Sequence, residues 1–575
     1  MSGSFDYIVV GGGTAGLVVA SRLSEDTDGQ LNNRHLRQDT GKVLGGSSLT
    51  NFLMAMFPSQ QNIDSWERMG NQGWSFKDLA PYFRKFSTSH SPTAAIREKL
   101  GGLGYYQSEL SGTGPIQLSF DDDYSIVNAS WFKTFVDLGL EMKADPRTGK
   151  AVGAFQNAST IEYKKNVRSS SVTAYYTETV ANRPNLEVLM ETNVQKIVTV
   201  VRDGEVSATG VQIIDKNGRS STISAKREVI LAAGALRTPQ MLELSGIGDR
   251  VLLESLGIQS VIDNPNVGEH MQDHLMTSQQ FPVRKGIPST DALRDPALFQ
   301  KIADEYAKTN GGLLAGMGTS VAYVPMANRA GVMPRSDRKE LFDKHLSSGP
   351  AVSPARKREF KLIRELLEIE EEPAIQYMCF PGSLTVTTHP DTLTDMFTPT
   401  APYDCIGIMA LLNHPFSRGS VHISSADSAV QPTWDPNYCS HPLDVEILAR
   451  NVQFVEKIVE TAPFCDLIDP TAKRVPDIAA DDLDRAREIV RSRTVSCFHI
   501  AGSCRMLPRE LGGVVDERLL VHGTTNLRVV DASVFPLEPL GNIQTVVYAV
   551  AERAADFIKE DRRTGAVLPR VSALL

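Results

Sequence analysis

A glycine-rich turn placed directly after a short apolar run limits this chain more than any other feature. The run from Phe5 to Val10 (FDYIVV) is short, β-rich and bounded by glycines, the pattern of a strand buried in a parallel sheet. Gly11-Gly-Gly13-Thr-Ala-Gly16 follows, and Leu17 to Leu23 reads as helix. This is G-x-G-x-x-G in the strand–turn–helix setting that a dinucleotide site requires. Gly11 permits the tight turn, Gly13 lets backbone approach a pyrophosphate, and Gly16 lets helix and strand pack closely. The helix N-terminus would offer free N–H groups to the phosphates.

The next expected piece is missing. Such a unit continues to a second apolar strand ending in Asp or Glu roughly 20 residues on, where the acid holds a ribose. Ser24 to Lys42 reads SEDTDGQLNNRHLRQDTGK, in which Leu31 and Leu36 are the strongly apolar residues. No strand can be read from it. Asp39 has the spacing but not the surroundings and reads as a solvated loop acid.

A second glycine cluster follows, Gly41-Lys-Val-Leu-Gly45-Gly46-Ser47-Ser48, with Asn51 just beyond. Two readings stand side by side. The cluster lets a chain pass close against a flat cofactor, or it is a turn opening a helix with Ser47 or Ser48 as cap. Further on, 183–190 and 194–201 read as extended runs. Glu228 to Ala235 reads as a buried strand ending in Ala-Ala-Gly, followed by helix to Leu244. Lys301 to Lys308 and Pro354 to Glu372 read as helical, with the acids at 370–372 as a solvated helix end. Near the other end, His499 lies among apolar and small residues in CFHIAGSCRM, Leu527 to Asp531 reads as a strand ending in an acid, and Gly541 to Arg553 as a helix opened by a polar pair. A histidine in such a segment is a packed core residue or a base, and Asn542 is a helix cap or its partner.

Composition excludes several classes. With 59 basic and 68 acidic residues the chain carries a net charge of −9, which does not suit a broad nucleic-acid footprint. No apolar run approaches the ~20 residues of a membrane span. Cys379, Cys405, Cys439, Cys465, Cys497 and Cys504 form no paired C-x-x-C cluster, so neither a metal site nor a disulfide framework is expected. The first residues show no basic, then apolar, leader pattern, so a cytoplasmic location is expected.

Taken together the segments resemble one family, the glucose–methanol–choline (GMC) oxidoreductases, FAD-dependent enzymes that oxidise alcohols. The resemblance rests on VVGGGTAGLVVASRLSED, GKVLGGSSLTN, WERMGNQGW, RSSSVTAYY, VILAAGALRTPQMLELSGIGD, NVGEHMQDH, HPFSRGSVHI, WDPNYCSHP, FHIAGSCRM, LRVVDASVFP and GNIQTVVYAVAERAADFI, and covers most of the chain in order. The phrase LNNRHLRQDTGKVLGGSS is similar to fungal members, which suggests secondary metabolism. The resemblance implies a mixed α/β fold: a Rossmann-like FAD-binding lobe (1–90, 186–280 and 496–575) interleaved with a substrate lobe (91–185 and 281–495) built on an antiparallel sheet with helices. It places Gly11, Gly13, Thr14, Ala15 and Gly16 on the FAD pyrophosphate, and Asn51, Phe52, Leu53 and Met54 by the flavin, with Gly45 and Ser47 in the same cofactor set. Val194 would meet the adenine through its backbone, Asp531 and Ala532 the ribityl chain, and Ile543 and Gln544 the flavin border. His499 matches the catalytic histidine and Asn542 its partner. The implied activity is dehydrogenase or oxidase chemistry on a small-molecule alcohol, passing electrons to oxygen or another acceptor, with no metal, nucleic acid or membrane involved.

The chain departs from the family at one place. Members carry some forty residues between the first helix and the LNNR-like phrase, holding the second strand and its acidic end. Here Ser24-Glu25-Asp26 runs almost directly into Leu31-Asn-Asn-Arg34. An incomplete gene model explains this, as does a paralogue that binds FAD weakly. A non-redox lyase or cyclase on the same fold, or an inactive product, are the corresponding alternatives to alcohol oxidation.

Overall fold

The structure is a computed structural model that describes residues 4–14, 17–18, 38, 40–100, 103–121, 124–316, 318–346, 352–384 and 393–564. Ala15, Gly16 and Asp39 lie outside the described residues. The strands that frame the site are, in chain order, β1 (Ser4–Val10), β2 (Gly153–Phe155), β3 (Asn193–Arg202), β4 (Glu205–Ile214), β5 (Ser220–Leu231), β6 (Leu275–Pro282), β7 (Ser320–Val324), β8 (Ile375–Phe380), β9 (Cys405–Leu412), β10 (Val495–Ser496) and β11 (Leu527–Val529). The helices used below are α1 (Ser47–Thr50), α2 (Arg237–Leu244), α3 (Pro442–Glu460) and α4 (Gln544–Thr564).

The first sheet runs β1-β5-β4-β3, with β11 also on β5. Its β3-β4-β5 part is an antiparallel meander. At its far end β5 lies between β1 and β11, both parallel to it, and Val10 and Val529 both face Leu231. The exits of these strands are stitched together: Ala232 N–H donates to Val10 O at 2.8 Å and Val530 N–H to Leu231 O at 2.7 Å. Ligands of parallel α/β sheets collect beyond such strand ends. A buried Arg528 on β11 donates to Glu228 on β5 at 2.5 Å and also to Asp561 on α4, so a charged side chain fastens two strands to the last helix.

The second sheet is antiparallel throughout, in the order β10-β6-β9-β8-β7-β2. Its long strands β6, β8 and β9 are buried along their whole length, with α3 packed against β9. One of its strands, β6, straddles the boundary drawn at 280/281.

Four local expectations are corrected. Leu17 and Val18 pair antiparallel with Gly13 and Gly12 as a short hairpin, so no helix starts at Leu17. A crossover helix is held by the parallel strand that follows it, and that strand is what the sequence lacks. For the same reason the run 183–190 joins no sheet, and Leu186 and Met190 stand 41% and 58% exposed. The helix beginning at Pro354 stops at Glu368, and Glu372 is buried, accepting a 2.5 Å hydrogen bond from Ser59 Oγ. Pro373 follows it and disfavours a helical Glu372. Finally, neither Ser47 nor Ser48 caps α1. The cap is Gly46 at φ 53°, where a Cβ would lie 2.6 Å from Gly13 Cα. The second glycine cluster therefore opens a helix and packs on the first glycine turn at once.

Candidate active site

The glycine turn is fixed by contact with the end of β5. Gly11 adopts φ 113°, and a Cβ there would stand 2.4 Å from Ala232 O. The 41–48 segment lies over the turn: Gly45 N–H donates to Gly12 O at 3.1 Å, and Gly46 approaches both Gly13 and Thr14. Ser47 Oγ accepts from Gly41 N–H. Asp531 ties the Ala-Ala-Gly exit to the strand end beside it. Its carboxylate accepts from Gly234 N–H (3.0 Å), Thr238 Oγ (2.5 Å) and Ser533 N–H (2.8 Å), while burial pushes its pKa up. Ala532 O accepts from Gly502 N–H, which carries the connection on to the segment holding His499.

His499 is placed by a bulge. Gln272 pairs with Ala501 and Leu275 with Ser496, so two residues on one strand oppose four on the other, with Phe498 at φ 62°. Bulges of this kind re-aim a side chain. Asp273 anchors the bulge by accepting from His499 N–H (2.9 Å), Ser496 Oγ and Tyr438 Oη, and burial pushes its pKa up to about 6. The His499 residue is 8% exposed. Its Nδ1 meets His274 Nδ1 at 2.9 Å and its Nε2 meets Asn542 Nδ2 at 3.1 Å. Burial lowers its pKa to about 3, which leaves a neutral ring.

Asn542 does not spend its side chain on a cap. Its Oδ1 accepts from Gln376 Nε2 at 3.2 Å while its Nδ2 faces His499. Ile543 O takes the first bonds of α4 instead, from Val546 and Val547. Gln544 accepts from Asn51 Nδ2 at 2.8 Å and leaves its own buried Nε2 unpaired. Asn51 Oδ1 in turn accepts from Leu53 N–H and Arg168 Nη1. Leu53 sits at φ 66°, Phe52 packs its ring on Phe397, and Met54 joins Met276, Met378, Met409, Phe155 and Phe380 in an apolar wall that reaches Cys497 and Phe498.

The structure thus brings together the described members of the predicted set, from Gly11 through Asn51 to Asn542 and His499, with one exception. Val194 pairs with Ile213, opposite the Ser221 end of β5, whereas the glycine turn adjoins Leu231. Ten residues of strand, roughly 33 Å, separate the two ends. His274, Asp273, Gln376 and Arg168 are site residues that sequence reasoning did not single out. The motif NVGEHMQDH contains His274 and Asp273, so its density of polar groups before a buried strand was the available signal. Gln376 offered none.

A polar pair at the mouth of an apolar wall, beside the converging ends of parallel strands, defines an enzyme of the dinucleotide-fold oxidoreductase class. The chain belongs to the GMC oxidoreductase family, whose members use FAD: the family's N-terminal model matches residues 5–276 and its C-terminal model residues 415–551. The dehydrogenase citC of Monascus ruber is 31% identical over 614 aligned positions, which cover 97% of this chain and 96% of that protein. Patulin synthase of Aspergillus clavatus is 28% identical, covering 96% and 91%. Among solved structures, an FAD-dependent oxidoreductase from Chaetomium thermophilum superposes with a TM-score of 0.83 at 24% identity over 97% of this chain and all of that one. A fungal aryl-alcohol oxidase does so at 0.82 and 24%, over 98% and 100%. The alignment to citC runs to 614 positions against a chain of 575 residues, so that relative carries stretches this chain lacks.

Proposed function

We propose that this enzyme oxidises an alcohol group of a small specialised metabolite, with FAD as cofactor, His499 as base and Asn542 as its orienting partner. The observation that carries the reading is a buried, neutral His499 whose Nε2 lies 3.1 Å from the Asn542 amide nitrogen, against an apolar wall. The residues at the flavin end fit FAD: the unpaired Gln544 Nε2, at the start of a 21-residue helix, is a donor suited to a flavin ring carbonyl. The glycine turn, the 41–48 segment and the backbone at 531–532 would hold the rest. FAD supplies the acceptor for the carbinol hydride. His499 Nε2 accepts the hydroxyl proton, and Asn542 Nδ2 donates to the same oxygen without competing for that proton. The methionine and phenylalanine wall excludes water from the reacting carbon. The names of relatives such as citC and patulin synthase support a fungal small-molecule substrate.

Replacing His499 by Ala tests the reading. Turnover should fall by ~10²–10⁴, the range for losing a general base, with bound flavin retained. Anaerobic flavin bleaching by a panel of aryl and aliphatic primary alcohols measures it. A variant that bleaches at the parental rate where chemistry limits turnover would remove His499 from the base role.

A further inference from the structure

We propose that His274 is a positioning residue: it fixes His499 in the tautomer that carries its proton on Nδ1 and leaves Nε2 free to accept the substrate proton. The proposal rests on the reading of His499 as base. The two rings meet edge to face, with centroids 5.1 Å apart and planes at 86°, and their Nδ1 atoms lie 2.9 Å apart. Two such nitrogens at this distance must share one proton. Two bare nitrogens would set lone pair against lone pair, and two protonated ones would set hydrogen against hydrogen. The tautomers of the neutral rings are therefore complementary, and fixing one fixes the other.

Three observations choose between the two arrangements. First, Asn542 Oδ1 is occupied by Gln376 Nε2, so the amide of Asn542 turns a donor toward His499 Nε2, and that nitrogen accepts. The amide orientation follows from these partners. Second, Cys497 Sγ stands 3.9 Å from the same nitrogen, and a thiol there is a weak donor. With Nε2 accepting, the ring's proton sits on Nδ1 and is donated to His274 Nδ1. Third, His274 must then carry its own proton on Nε2. That atom is buried and makes no hydrogen bond of normal geometry, so no partner there opposes a proton, and the Asn413 backbone bears on the ring as an acceptor. Glu538 Oε1 lies 3.6 Å from His274 Nδ1, beyond hydrogen-bond reach, and leaves that nitrogen to His499.

The placement of His274 is rigid. It is fully buried, and its carbonyl accepts from Cys497 N–H at 3.0 Å. Its neighbour Asp273 holds the backbone of His499 itself. One dipeptide, Asp273-His274, thus sets both where the His499 ring sits and which of its nitrogens is bare.

The test uses FAD-loaded protein labelled with ¹⁵N-histidine, with His499→Asn to identify the His499 signals by their loss. The parent should show His499 protonated on Nδ1 and bare on Nε2. In His274→Leu, where no acceptor remains, the signal should move to the Nε2-protonated form or a mixture. In His274→Gln, whose side-chain oxygen can accept, the parental tautomer should persist. Kinetically, His274→Leu should lower the limiting rate of flavin bleaching by roughly 10–100-fold, the range for removing a partner that orients an active-site ligand. The alcohol concentration at half-saturation should not change, and His274→Gln should restore a near-parental rate. A parental spectrum with the proton on Nε2 overturns the proposal whether or not the leucine variant folds. So does a folded His274→Leu that keeps both tautomer and rate. A full bleaching rate in His499→Ala, with His499 of the parent protonated on Nδ1, would instead strike the base reading and leave the tautomer assignment standing.

Discussion

His422 is clamped between two carboxylates, Glu243 at 2.7 Å and Glu269 at 3.1 Å, where α2 meets the strand Ser420–His422. Burial lowers the pKa of the ring, but the two acids outweigh that and raise it to about 9. A histidine whose folded pKa lies above its unfolded value contributes stability that is complete below about pH 6.5 and is lost as pH rises through about 9. The loss should be on the order of 2–3 kcal/mol. Melting temperatures of the parent should therefore fall across that window. In His422→Gln the fall should flatten, with lower stability at neutral pH; equal slopes in the two proteins would show that this clamp does not titrate. Ile423 N–H also donates to Glu243, so the acid remains partly satisfied in the variant.

Among elements, β1 shows what the missing segment leaves behind. Of the described strands it pairs with β5 alone, and Val9 on it is 54% exposed. The exposed Leu186 and Met190, and the hairpin that replaces the start of the crossover helix, belong to the same picture. Inserting a family-like second strand with its acidic end between Asp26 and Leu31 should cover these residues and supply a ribose acceptor. Charge-assisted hydrogen bonds contribute roughly 1.5–3 kcal/mol each, so FAD affinity should rise by about tenfold or more, together with the melting temperature. Titration and melting of both proteins check this, and equal values would mean that the chain as written fills the gap in another way. The elements legible in the sequence were those with a strong local pattern: the β1 run, the Ala-Ala-Gly strand end, the Pro296–Thr309 helix that contains Lys301 to Lys308, and α4. The run 183–190 was misleading because a strand pattern states only a propensity, and a ladder needs a neighbour. Within the site, His499 and Asn542 were legible through the family motifs. Gln376 was not, since it sits in a fully buried strand whose neighbours carry no pattern that marks one polar residue as functional. The meeting of His274 with His499 depends on a bulge between segments more than two hundred residues apart.

On the scale of the whole molecule, the first sheet is fastened to the last helix by a buried charge. Arg528 is fully buried with Glu228 and Asp561 as its carboxylate partners, and it also donates to Arg518 O. Removing such a cation leaves the buried Glu228 without its partner, while Asp561 keeps Arg518, so Arg528→Leu should cost about 3–5 kcal/mol, read as a lowered melting temperature at neutral pH. Parental melting would mean that Glu228 finds another partner. The parallel arrangement of β1, β5 and β11 has a further consequence, for synthesis. β1 leaves the ribosome first, its neighbour β5 more than two hundred residues later and β11 nearly three hundred after that. At roughly 5–20 residues per second, β1 waits on the order of half a minute to two minutes before the third strand exists. Throughout that interval the glycine turn has no completed wall to rest on, and the nascent apolar run from Phe5 to Val10 is open to chaperones, to proteases and to the same run on neighbouring polysomal chains.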